Sequence, residues 1–254
     1  MVQAPEGLIP PGSIARVVTD GLRLRAEPST SASTLATLAN GDLLAVGYSY
    51  MHPDWGPVDA DGFGWYPVRP LGSRELPPVP SEPFAPGDNL GWVAAGSEGQ
   101  AFLELMPPRC TEGDPDLTTL QTLMPWEQLA CYGNRSFAIE GTYGCGGCGG
   151  LFPGTFEPEW LASPMNFDLL SVDANQRMGP MTLNFPPDGP ERPEVGTIVR
   201  VTGHFDDPAA AECTVAPGDP PVARDQRTAQ LYCRARFVVE SIEVLGTDED
   251  FPLG

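Results

Sequence analysis

Cys145 and Cys148, separated by two glycines in a glycine-rich run, are the residues whose type and spacing first suggest chemistry. A CxxC pair serves as a dithiol redox couple, as half of a zinc site, or as a structural disulfide. A redox couple belongs at the start of a helix, whose N-terminus lowers the pKa of one thiol. The next residues, GGLFPGTFEPEW, contain two prolines and three glycines and predict no helix. Zinc needs two further ligands, yet there is no second CxxC, and the two histidines are His52 and His204. A set of Cys145, Cys148, His204 and Cys213 would leave Cys233 without its natural partner. The favoured reading is a disulfide closing a glycine turn whose backbone other residues could not follow. Zinc binding and thiol activity stand as the alternatives.

Other constellations are weaker. In GHFDDP, His204 and Asp206 are two apart, a spacing that could hold a metal or a proton relay, but a satisfied strand histidine beside a turn-initiating Asp207-Pro208 accounts for the same residues. Asp59-Ala60-Asp61-Gly62 starts like a calcium loop without its later oxygen ligands and reads as a hairpin turn. Glu157, Glu159, Asp168 and Asp173 lie among aromatics and would be the carboxylates of a glycosidase if there were one. A nucleophile elbow, a phosphate loop and a dinucleotide fingerprint are all missing from the sequence. No catalytic residue, metal or cofactor is assigned, and the expectation is a non-catalytic binding protein.

Composition narrows the setting in which these residues work. The 254 residues suit two modules, and 30 prolines with 29 glycines predict short elements rather than long helices. Net charge is −20, and all 14 basic residues are arginines. Such a field repels nucleic acid and anionic membrane surfaces, so neither is expected as a partner. No apolar run is long enough for a membrane helix. The six cysteines all lie beyond residue 109, an even number in one half that predicts three disulfides and an oxidising, extracellular or cell-surface location. Six cysteines allow fifteen pairings, which spacing alone does not separate. The expected set is Cys110 with Cys131, Cys145 with Cys148, and Cys213 with Cys233. On this reading an export signal has been removed, and the chain could be a piece of a longer protein.

The elements that must position these residues are mostly strands. After a Pro-rich tail (1–11) come the β runs IARVVT, LRLR and LLAVGYSY, with turns at Asp20-Gly21 and Asn40-Gly41-Asp42, then GFGWYPV and LGWVAAG. In order, Leu22-Arg23-Leu24-Arg25 with Ala26-Glu27-Pro28-Ser29, the Leu38-to-Asp42 turn, Trp65-Tyr66-Pro67-Val68 and Gly91-Trp92-Val93 resemble the bacterial SH3 family over residues 12–105. The resemblance implies a small, bent β-barrel and, as a ligand class, a cell-envelope peptide or glycan. Two departures are visible: Arg23 where the family usually has asparagine, and a Pro-rich insertion (71–89) between strands that a tight hairpin normally joins. Tyr48, Tyr50 and Trp55 are candidate groove aromatics. Trp65 and Tyr66 could join them, although Trp65 and Trp92 suit a core.

Past residue 105 a helical lead-in (106–135) is expected. Asp114 or Asp116 caps LTTLQTLM, and Pro125 opens PWEQLACYG, which Gly133 stops. With Cys110 joined to Cys131, this lead-in would act as a lid or plug on the second module. Residues 136–246 then give SFAIEGTY, a long, partly helical excursion, MTLNF, GTIVRVTGHF, an Ala-rich turn and CRARFVVESIEVL, ahead of an acidic tail (247–254). In the first strand Phe137, Ile139 and Tyr143 share a face. In GTIVRVTGHF, Val199, Val201 and Phe205 oppose Arg200, Thr202 and His204. This order of four or five strands resembles an OB-type Greek-key barrel. CGGCGG, VTGHFDDPAA and LYCR, in that order, also resemble a companion domain of exported SH3-containing bacterial proteins. The expected fold is therefore mainly β, an SH3-like barrel followed by a disulfide-stapled OB-like barrel. Arg200, His204 and Phe156 are its candidate binding residues. The alternative role is a structural module of a larger surface assembly.

Overall fold

The computed structural model describes residues 9–10, 12–47, 57–72, 91–97, 100–146, 167–171, 181–212, 230–231 and 233–248. It is mainly β with antiparallel sheets. The chain divides between Pro107 and Pro108 into two compact units. Among the described residues no helix is long and apolar enough to cross a membrane.

The first unit contains β1 (Ile14–Val17), β2 (Leu22–Arg25), β3 (Thr34–Leu38), β4 (Leu43–Val46), β5 (Val58–Ala60), β6 (Phe63–Pro70), β7 (Gly91–Ala94) and β10 (Leu103–Leu105), with a small hairpin of β8 (Gly96–Ser97) and β9 (Gln100–Ala101). The main sheet runs β10-β1-β4-β6-β7-β2-β3, with β5 paired to β6. Alternation sets its faces: Leu22 and Leu24 are buried while Arg23 is exposed. Val17, Leu44, Val46, Val68 and Val93 are almost wholly removed from water and form the core with Leu24 and Tyr66. The Asp59-to-Gly62 stretch is the expected hairpin turn. Asp61 and Gly62 both take positive φ (52° and 79°), the backbone that a two-residue turn between twisted strands requires.

Trp65 takes the core place expected of it, and Tyr66, a candidate groove aromatic, is a core residue as well. Trp65 is buried and its indole Nε1 donates to the Ala60 carbonyl at 2.9 Å. Tyr66 is buried too, and its hydroxyl accepts from the Ile9 N–H at 3.3 Å. Trp92, expected in the core, is half-buried, because β7 turns Val93 inward instead.

The second unit starts with the expected helical lead-in. Asp116 caps α1 (Leu117–Thr122) by accepting from the Thr119 N–H at 2.7 Å. Helix α2 (Pro125–Tyr132) begins on Pro125 and ends at Gly133. At its start Glu127 reaches back to accept from the Met124 N–H at 3.0 Å. The Cys110–Cys131 disulfide is present, with Cα atoms 5.2 Å apart. Beside it the buried Glu127 carboxylate grips Arg109, Nε at 2.8 Å and Nη2 at 2.5 Å. Apolar residues Leu117, Leu120, Trp126 and Leu129 are buried, and α1 packs on the later strands of the unit rather than standing apart from them.

Those strands are β11 (Phe137–Gly146), β12 (Phe167–Ser171), β13 (Met181–Asn184), β14 (Thr197–His204) and β15 (Phe237–Thr247), with a 3-10 turn at Pro208–Glu212. Pairing runs β11-β12-β13-β15-β14 and returns to β11. Every step is antiparallel except β13 with β15, which is parallel through Leu183 opposite Phe237 and Asn184 opposite Val238. Phe137, Phe205 and Phe237 meet with ring centroids 5.2–6.0 Å apart, and Tyr132 of α2 joins them at 5.5 Å from Phe137. Ile139, Val199 and Val201 continue this core, with the expected facing of β11 and β14.

Two expectations need correction. The stretch expected as a partly helical excursion contributes strand β12, which pairs with both β11 and β13. Strand β15 begins at Phe237, because Cys233–Arg236 turns before it and Ala235 N donates back to the Leu231 carbonyl at 3.0 Å.

Candidate functional site

The outward face of β11, β14 and β15 gathers the second unit's described candidates. Register places Glu140, Arg200 and Glu243 side by side across three strands. Arg200 donates to Glu140 Oε1 from Nε at 2.9 Å and from Nη2 at 2.6 Å, and its Nη1 holds Glu243 Oε2. These hydrogen bonds, that to Glu140 first, raise the Arg200 pKa above its ordinary value. The guanidinium is therefore a cross-strand clasp, and a ligand anion at Arg200 would have to displace Glu140 or Glu243.

His204 lies farther along the same face. Its Nδ1 is 2.5 Å from the Phe205 carbonyl, so an N–H there donates to it, and Nε2 is 3.9 Å from Glu240 Oε1. Glu240 also accepts from the Ser136 hydroxyl at 2.6 Å. The order is serine to carboxylate to histidine. The carboxylate, not the histidine, faces the hydroxyl, so the three side chains do not stand in the serine-histidine-carboxylate order of a nucleophilic triad.

Asp206 does not share that face. Its positive φ (64°) turns it away, and its carboxylate takes Arg234 Nε at 2.6 Å while its N–H donates to the Arg234 carbonyl. Asp207, next to it and expected as a turn initiator, is buried. Its Oδ1 accepts from the Ala209 N–H at 2.8 Å and so caps the 3-10 turn; Oδ2 accepts from Asn184 Nδ2 at 2.6 Å. Burial lowers the Arg236 pKa, and the Asp207 charge opposes that shift. Asp207 thus ties β13, the 3-10 turn and the start of β15 together at the parallel closure. The signal was the second Asp of GHFDDP, readable only as a turn initiator until its depth is known.

In the first unit an exposed carboxylate forms a comparable tie. Asp61 Oδ2 accepts from the Thr30 N–H at 2.7 Å, the Thr30 hydroxyl at 2.8 Å and the Ser29 hydroxyl at 3.0 Å. These bonds, the backbone one first, hold its carboxyl below the usual aspartate range.

Tyr48, Tyr50, Trp55, Phe156, His52, Cys148 and Cys213 lie outside the described residues, as do Glu157, Glu159 and Asp173. Cys145 and Asp168 are placed by backbone alone, as partners across β11 and β12. Cys233 is disulfide-bonded, with its partner outside the described side chains. Among the described residues no three His, Cys, Asp or Glu side chains are grouped to hold a metal ion. No family model, curated protein or solved structure matches the chain.

Proposed function

We propose that the chain is an exported, non-catalytic binding protein whose first unit is an SH3-like barrel and whose second is an OB-like barrel. Its ligand class is a cell-envelope peptide or glycan. The observation that carries this reading is the neighbourhood of four segments. Leu22–Arg25, the Leu38-to-Asp42 turn, Trp65–Val68 and Gly91–Val93 are scattered over some seventy residues, yet they fall on strands adjacent in one sheet, β6-β7-β2-β3, or on the turn leaving it. For the second unit, the ring order with its one parallel step supports the reading as a Greek-key barrel of OB type. The Cys110–Cys131 bridge favours an oxidising compartment.

Co-sedimentation of the full chain with purified bacterial cell-wall sacculi tests the proposal. The same glycan strands stripped of their peptides separate a peptide ligand from a glycan one. Pelleting with intact sacculi, reversed by soluble wall fragments, is the expected result. A chain that stays in the supernatant with both preparations overturns the reading.

A further inference from the structure

Strand β3 ends the first sheet and, among the described residues, pairs only with β2. Thr34, Leu35, Ala36 and Thr37 are all exposed, on both faces of the strand, and Leu35 keeps 53% of its surface in water. From Ser29 to Ala39 the sequence has no charge and no proline. An open edge with free N–H and C=O groups is a template for another strand, and proteins ordinarily blunt such edges with charges or proline. The opposite end of the sheet does so: exposed Glu104 on β10 is paired with Arg16 at 3.7 Å. In β3 the described irregularity is one register shift opposite Leu24 and Arg25, which leaves Leu35 with no residue across from it. Such a bulge re-aims a side chain without closing the regular stretch beside it.

Arg23 is the second observation. It lies on β2 directly opposite Thr37, is exposed, and makes no hydrogen bond or ion pair with any described residue. Arg16, Arg25, Arg109, Arg135, Arg200 and Arg234 each hold an acceptor. An unengaged cation beside an uncharged open edge suits a single carboxylate by local attraction, against the overall charge of −20 that disfavours large polyanions.

We propose that β3 accepts an extended peptide with a carboxylate side chain, by backbone pairing along Ala36–Leu38, the carboxylate set toward Arg23 and an apolar side chain against Leu35. This rests on the reading of the first unit as a peptide binder and names its site and its preference. A second copy of the chain is the poorer occupant, because pairing β3 with β3 would bring together two chains of the same large negative charge and two Arg23 side chains.

The test is an amide-resolved NMR titration of the full chain with acetylated, amidated Thr-Val-Glu-Val-Thr and with the same peptide carrying Lys for Glu. Shifts and slowed exchange should centre on Thr34–Leu38, with the Lys peptide roughly fivefold weaker. Arg23→Glu should invert that preference, and Leu35→Asp should weaken both peptides. Pelleting with sacculi but no peptide effect at β3 overturns the edge proposal and leaves the binding reading standing. Failure of both experiments overturns both. A dimer that protects the same amides without peptide replaces the peptide with a second copy and also overturns the proposal.

Discussion

Replacing Arg109 with leucine should destabilise the second unit by about 2–3 kcal/mol. Removing one partner of a buried ion pair costs roughly 3–5 kcal/mol when the remaining charge is stranded. Here the stranded group is Glu127, whose side chain is 4% exposed and which loses the 2.8 Å and 2.5 Å bonds to the guanidinium. It keeps two backbone donors, Met124 N–H at 3.0 Å and residue 109's own N–H at 3.2 Å, and these reduce the cost. Urea unfolding followed through the amide signals of Val199 and Val201 would read the loss, with Val17 and Val93 of the first unit as internal controls. For a unit of this size the melting temperature should fall by about 5–10 °C. Adding Glu127→Gln to the leucine variant should recover more than about 1 kcal/mol, since glutamine can still accept from Met124 without a charge to strand. A leucine variant within about 0.5 kcal/mol of the parent, or no recovery in the double variant, would refute this account of the pair.

Gly203→Ala should unfold the second unit or cost at least about 3 kcal/mol by thermal denaturation, because the new Cβ would overlap the Val238 carbonyl oxygen and lie 2.8 Å from the Phe237 ring. Replacing Cys110 and Cys131 together by serine should cost about 3 kcal/mol in the same measurement, as expected for a bridge over 21 residues. Asp61 has a lowered pKa when folded, so its contribution is present above the unfolded value near about 3.9 and is lost as pH falls through the folded one. The Thr30 amide shift should therefore titrate with a midpoint below the ordinary aspartate range, and Asp61→Asn should remove that titration.

Local rules made the helices legible, because Asp116, Pro125 and Gly133 are termini signals that act within one turn. The facing of Phe137, Ile139, Val199 and Val201 was legible for the same reason, since alternation needs no knowledge of the partner strand. The features that escaped depend on register between distant segments. Arg200 reads as a free cation until pairing sets Glu140, sixty residues earlier, and Glu243 on either side of it. Tyr66 reads as a groove aromatic until the sheet encloses it. Strand β12 escaped because Phe167–Ser171 sits between prolines and acidic residues and shows a strand only in its pairing to Thr142–Gly146. The candidate site was legible in part: Arg200 and His204 do share a face, but their engagement with Glu140, Glu243 and Glu240 was not readable from spacing.

The parallel step between β13 and β15 has a kinetic consequence. It joins residues 183–184 to 237–238 through two residue pairs, whereas the Cys110–Cys131 hairpin closes over 21 residues and β14 meets β15 along nearly its whole length. Short-range contacts form early, and a long loop must be closed before a few distant pairs can reward it. Refolding of the second unit should thus end with the docking of Leu183 and Asn184 against Phe237 and Val238. The amides of Leu183 and Asn184 should likewise exchange under native conditions before those of Val199 and Val201 in the longer pairing of β14 with β15.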